Sequence, residues 1–214
     1  MLTLIFRLIT GFLTLSVVAL AAGIGFVWYD GSRMMDRAKQ SGWLTPPPVE
    51  APLSLFETTV AKGIFGRTWD QKGFPCRTVA RMWAYYTGDK TSPPGGLSIS
   101  QVMARDISYE VEASQSVGSQ LRQLSLACQL EGRSDTELLR LWMTHASFGK
   151  DLVGPDAAAQ ALFEKAPSAL NASESEKLAA ALSQPGIQSD AARWAASARR
   201  IAQHAEANQQ KPAD

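Results

Sequence analysis

The hydrophobic positions of this chain form one long unbroken block followed by a series of short helical stripes. Leu8 to Trp28 reads LITGFLTLSVVALAAGIGFVW without a charge, which matches the about 20 residues a helix needs to cross a bilayer. Trp28 and Tyr29 close the block, where amphipathic rings favour the headgroup level. Beyond it, apolar residues recur at spacings of three and four. Pro75 opens a helix carrying Val79, Met82 and Trp83 on one side, and Gly88 ends it. Ser116 to Leu130 places Val117, Leu121, Leu124 and Cys128 on one stripe. Ser134-Asp135-Thr136-Glu137 is a capping-box pattern ahead of Leu138, Leu141 and Trp142. Ser173-Glu174-Ser175-Glu176 repeats that device before Leu178 to Leu182, and Ser189 caps a last helix through Trp194 to Ile201. No stretch alternates with period two for long enough to make a strand. The expected fold class is all-α, with one N-terminal transmembrane helix.

This pattern divides the chain into an anchor over 1–29, a polar neck over 30–50, a helical domain over 51–205 and a polar tail over 206–214. The neck ends in Pro46-Pro47-Pro48, a short stiff spacer, and Asn208 onward is expected to fray. Arg7 and the amino terminus are the charges ahead of the apolar block, which places the N-terminus in the cytoplasm. Arg33, Arg37 and Lys39 on the far side, mixed with Asp30 and Asp36, oppose that assignment. Ala19-Leu20-Ala21 before Ala22 offers a second reading, a cleaved signal peptide. The apolar run continues past it to Trp28, longer than a signal core, and this favours the uncleaved anchor.

Composition narrows the function classes. The 214 residues carry 45% hydrophobic and 19% charged positions, with 21 Lys plus Arg against 20 Asp plus Glu for a net charge of +1. No bulk field draws such a chain to nucleic acid. Two histidines and two cysteines, without C-x-x-C or H-E-x-x-H spacing, give no zinc-site pattern. Neither G-x-x-x-x-G-K-[ST] nor a strand-borne G-x-G-x-x-G occurs, so no nucleotide fingerprint is present. No cofactor is expected.

From Pro52 to about Ile201 the order of residues says more. Gly95-Gly96-Leu97-Ser98-Ile99-Ser100-Gln101-Val102-Met103-Ala104-Arg105-Asp106 is similar to the G-G-S-T-x-T-Q-Q-L-x-K-N motif of the glycosyltransferase family 51 domain, the peptidoglycan transglycosylase. The stretch LEGRSDTELLRLWMTHASFGKDLVGPDAAAQALFEK from Leu130 follows that family's L-E-x-x-x-S-K-x-E-I-L-E-x-Y-L-N…F-G…G-…-A-A…Y-F-x-K without a gap. The chain resembles the monofunctional membrane-anchored transglycosylases. The resemblance implies a lysozyme-like fold, anchored once in a bacterial inner membrane with the C-terminal domain periplasmic. It also implies work at the outer face of that membrane on a lipid-linked disaccharide or nascent peptidoglycan.

The family reaction sets one carboxylate as general base on an incoming 4-hydroxyl and a second acid near the departing diphosphate. It needs a positioned proton acceptor and cations for the diphosphate charge. The first carboxylate opens the motif E-D-x-x-F-x-x-H-x-G-F. Counted back from Gly73-Phe74, that position is Ile64, and its acidic neighbour is Phe65. The second belongs to R-K-x-x-E, eight residues before the Glu of the L-E pair. Counted back from Glu131, it is Gln123, and the Arg-Lys pair is Ser119-Gln120. Isoleucine accepts no proton and a glutamine amide is no base near neutral pH, a loss worth about two to four powers of ten in rate. These replacements, set in a matching scaffold, are the pattern of a retired active site.

Gly95, Gly96, Ser98, Ser100, Gln101 and Arg105 have two readings. They are a remnant groove for a glycan or diphosphate, with unpaired helix amides and one cation, or a turn with capping serines. Leu97 replaces a polar motif residue. Asp70, Glu110 and Glu112 are either relocated bases or solvated charges. Cys76 and Cys128 are either bridged, as an oxidising periplasm permits, or separate, with Cys128 a buried thiol. His145 and His204 have no triad partner at a suggestive spacing, and Trp28, Trp43 and Trp69 read as interface or packing residues. The expected function is a catalytically inactive, membrane-anchored transglycosylase-like protein. It would hold a lipid-linked glycan precursor, nascent peptidoglycan or a membrane-complex protein partner. The alternatives are an active polymerase with displaced acids and a purely structural subunit.

Overall fold

A single helix, α1 (Leu2–Gln40), runs for 39 residues, roughly 58 Å at the α-helical rise. In this computed structural model the described residues are 2–45, 51–69, 76–80, 87–88, 97–111 and 117–209. Phe12, Leu15, Val18, Leu20 and Phe26 are all exposed along its first half, and the helix is long and apolar enough to cross a membrane. It does not break at Asp30. One face instead turns inward, with Met34 and Ala38 at the i, i+4 spacing buried in the core, and a turn then delivers Trp43 and Leu44 to the same core. The expected neck is therefore helix and turn over 30–45. Its charges, Asp36, Arg37 and Lys39, occupy the solvent face and hid a narrow apolar stripe. The three prolines at 46–48 lie outside the described residues.

The remaining elements wrap this stem. α2 (Leu55–Val60) starts in a reciprocal capping box between Ser54 and Glu57 and passes into a π turn over Ala61–Phe65 and a 3-10 turn over Gly66–Thr68. α3 (Ile99–Val111), α4 (Val117–Leu130), α5 (Asp135–His145), α6 (Pro155–Phe163), α7 (Ala172–Ser183) and α8 (Ala191–Gln209) follow. Phe56, Met103, Ile107, Leu126, Leu130, Leu138, Leu139, Phe148 and Leu178 fill the centre. The described residues contain no strand, only an isolated bridge between Ser147 and Val153. The all-α expectation holds.

Helix starts differ from expectation in two places. α7 is capped by Asn171, whose side chain accepts from the Glu174 amide while Glu174 returns the bond, so Ser173 lies inside the helix. α8 is capped by Asp190, which accepts from the amides of Ala192 and Arg193, while Ser189 closes the preceding turn by donating to the Gly186 carbonyl. In both cases the side chain nearer the bend wins. Ser134 caps α5 as expected. The α4 stripe is rotated: Leu126, Ala127 and Leu130 are buried with Ser119 and Ser125, whereas Leu121 is 46% exposed. Two neighbours, α1 and α3, press on α4 at once, so small residues take the crossing. A Cβ on Gly31 of α1 would sit 2.7 Å from the Cβ of Ser125, an approach that a larger residue at 31 forbids. Gln129 and Ser32 seal the crossing by hydrogen bonds.

At the other end, α8 remains helical through Gln209, and Asn208 donates to the Lys62 carbonyl at 3.0 Å. The expected frayed tail therefore begins no earlier than residue 210. Gly63 lets the π turn press on α8, where an added Cβ would lie 2.9 Å from the Ile201 carbonyl.

Cys76 and Cys128 form a disulfide, with Cα atoms 5.3 Å apart across 52 residues of sequence. It ties the helical turn at 77–80 to α4. Closing a loop of that length removes unfolded-state entropy. Replacing both cysteines with alanine is expected to lower unfolding stability by about 2–4 kcal/mol in a denaturant titration of the detergent-solubilised protein. Reduction of the native protein should give a matching loss.

Candidate functional site

Residues from three stretches of the chain, 68–78, Ser100 and 131–135, converge on one buried polar cluster. Arg77 follows the disulfide cysteine directly and is only 5% exposed. Its guanidinium donates twice to Asp135, at 2.7 and 2.5 Å, and lies 3.4 Å from Glu131. The Arg77 amide donates to Glu131 at 2.7 Å, and the hydroxyls of Thr78 and Ser100 each reach the same carboxylate at 3.3 Å. The Nη1 that donates to Asp135 at 2.7 Å also meets the Thr68 carbonyl at 3.4 Å. Burial lowers the Arg77 pKa, but hydrogen bonding and charge from Asp135 and Glu131 outweigh it and raise the group further, so it stays cationic. Asp135 is the first residue of α5, where the helix dipole favours an anion.

This geometry assigns the retained acids to structure. Among the described residues Glu131 accepts from three donors and Asp135 is bidentate on a guanidinium, so both carboxylates are engaged within the fold. Sequence reasoning used Glu131 only as a landmark and Asp135 only as part of a cap, and did not single out Arg77. A lone buried arginine has no periodic signature.

The two degenerate positions lie elsewhere. Ile64 is in the π turn, partly buried and packed against the core, with Gly63 and Lys62 beside it held to α8 as described. Gln123 is half-buried on α4. Ser119, in place of the first cation of the pair, is buried, and Gln120 is exposed.

Of the groove residues, Ser98, Ser100 and Gln101 come together at the start of α3. The Ser98 amide donates to the Gln101 side chain at 2.9 Å, and the Gln101 amide donates to the Ser98 hydroxyl at 3.3 Å. The hydroxyls of Ser98 and Ser100 share a bond of 2.8 Å and are fully buried. This is a reciprocal cap leaning on Glu131. Arg105 stands a turn and a half further on, with its side chain 43% exposed and paired to Asp106 at 2.9 Å. Gly95, Gly96, Asp70 and Glu112 lie outside the described residues, as do Pro75, Met82 and Trp83. Glu110 accepts from the Trp43 indole at 2.7 Å, and His145 stacks on Trp43 at 4.2 Å. Both rings thus serve packing where the stem meets the domain. Among the described residues no three His, Cys, Asp or Glu side chains group to hold a metal ion.

A separate cleft of about 470 Å³ lies between the start of α2 and α5–α6, lined in part by Ser54, Glu57, Arg140, Thr144 and Asp156. Arg140 donates to Glu57 at 2.7 Å and to the carbonyls of Ala51 and Pro52 at 2.7 and 3.2 Å, clamping the chain as it enters the domain. Burial pushes the Glu57 carboxyl up. The Arg140 and Ser54 hydrogen bonds and the arginine charge outweigh that, and it titrates below its ordinary value of 4.5.

Two expectations follow. Asp135→Asn leaves a buried guanidinium half-matched and should lose about 3–5 kcal/mol of unfolding stability, read by denaturant titration. Because the Glu57 pKa is depressed, its contribution is fully present above pH 4.5 and disappears as pH falls through the folded value. Glu57→Gln should therefore be less stable than the parent near neutrality and show a flatter acid limb in thermal melts.

The transglycosylase family profile matches residues 66–208, beginning two residues past Ile64 and including the cluster, both caps and α8. Among curated proteins none matches the chain. A match that spans most of the chain, from the 3-10 turn at Gly66 into α8, shows that this chain belongs to the transglycosylase family, the glycosyltransferase 51 domain.

Proposed function

We propose that this protein is a membrane-anchored member of the family that holds glycan or a partner protein in the bacterial envelope without polymerising it. The observation that carries this reading is Ile64, a hydrocarbon side chain packed against the core at the sequence position of the family's general base. Gln123 in place of the second acid, and Ser119-Gln120 in place of the cations, support it. Glu131 and Asp135 are engaged by Arg77, Thr78 and Ser100. A missing base alone lowers the rate by about two to four powers of ten.

The Cys76–Cys128 bridge supports an oxidising compartment for the domain, hence a single-pass topology with the N-terminus cytoplasmic and the domain periplasmic. Lipid-linked precursor, nascent peptidoglycan and a membrane-complex protein are the partners this placement makes available. Neither nucleic acid nor a cofactor enters the reading.

The test is polymerisation of lipid-linked disaccharide-peptide by the full-length protein in detergent, beside an active family member. No polymer above the protein-free background is expected. Polymer that disappears with Asp70→Asn, Glu110→Gln or Glu112→Gln would overturn the proposal and establish a displaced base.

A further inference from the structure

Where α1 leaves its apolar half, a small open pocket of about 160 Å³ is lined by Asp30, Arg33, Met34, Arg37 and Arg122. Among the described lining residues, three guanidinium groups stand with one carboxylate. Arg122 of α4 meets Asp30 at 3.4 Å, which fixes that guanidinium at the level of the pocket floor. Arg33 and Arg37 are exposed, and among the described residues neither forms an ion pair. They stand four residues apart on one helix face, where like charges repel. An anion between them removes that repulsion.

The height of the pocket identifies the anion. Trp28 and Tyr29 are 53% and 61% exposed and mark the hydrocarbon boundary. Arg33 is five residues beyond Trp28, roughly 7.5 Å along the axis, and Arg37 roughly 13.5 Å. The polar layer of a bilayer adds about 5–7 Å on each side of the hydrocarbon core, so the Arg33 backbone falls at the outer edge of that layer and the Arg37 backbone roughly 6 Å beyond it, from where long arginine side chains can reach back to a headgroup phosphate. The helix is continuous here and Met34 is buried in the domain, so this height is set by covalent structure. Guanidinium forks match phosphate oxygens in bidentate geometry.

We propose that Arg33, Arg37 and Arg122 form a binding site for the phosphate of an anionic glycerophospholipid at the membrane surface that the domain faces. Asp30 orients Arg122, and Met34 supplies an apolar wall. This site holds whether or not the domain polymerises glycan. It depends on α1 spanning the bilayer.

The test uses the full-length protein in a neutral detergent, titrated with short-chain phosphatidylglycerol and followed by thermal shift. Wild type should be stabilised saturably by phosphatidylglycerol and far less by phosphatidylcholine of the same chain length. Each of Arg33→Gln and Arg37→Gln should weaken the apparent affinity about fivefold, with Lys39→Gln, outside the pocket, leaving it unchanged. The pair Arg33→Lys/Arg37→Lys should fall between. Equal response to both lipids, or an Arg33→Gln/Arg37→Gln double variant that binds like wild type, overturns the proposal. Saturation by inorganic phosphate alone at the same concentration would remove the lipid from it. Displacement of phosphatidylglycerol by a prenyl diphosphate at a tenth of its concentration would reassign the site to a lipid-linked diphosphate.

Discussion

Arg77 is the constraint on which the domain depends. A buried guanidinium is tolerated only with polar partners around it, and here they come from the 3-10 turn at Thr68, from Glu131 just past α4 and from the first residue of α5, while Thr78 of the disulfide turn and Ser100 of α3 join through Glu131. Each of these ends is a helix terminus or a tight turn with polar backbone groups to satisfy. One cation and two carboxylates therefore organise the loops on one side of the core, while the apolar stripes organise the helices. Hydrophobic burial alone would permit several registers among short helices, whereas a bidentate arginine fixes one.

The same cluster shows what Glu131 and Asp135 do for the fold, since both carboxylates engage Arg77, whereas Ile64, Gln123, Ser119 and Gln120 are not part of it. Ile64 even adds apolar contact to the core.

Much of the fold was legible in the sequence. The apolar block, the Ser134 cap and the absence of period-two alternation all gave the right element types, because each is a local signal. Three features were not legible. The buried stripe of Met34 and Ala38 is two residues wide and surrounded by charges, so composition read it as a neck. The face of α4 is chosen by two neighbouring helices and a disulfide, and periodicity within α4 alone selected Leu121, which faces outward. Arg77 reaches Asp135 across 58 residues, and nothing in the local order of P-C-R-T announces that partner. At the site, the motif spacing pointed to Ile64 and Gln123 as expectations, while the engagement of Glu131 could be read only from its donors.

The unbroken passage of α1 from its apolar half into the core has a mechanical consequence. A flexible tether lets a domain swing and search, but here the domain is keyed to the apolar half of α1 by the phase of one helix. Each residue added or removed between Trp28 and Met34 would turn the whole domain by about 100° and shift it by about 1.5 Å along the axis. Which face looks down at the lipid, and which looks sideways at neighbours, is thus written in the count of five residues between an interfacial tryptophan and a buried methionine.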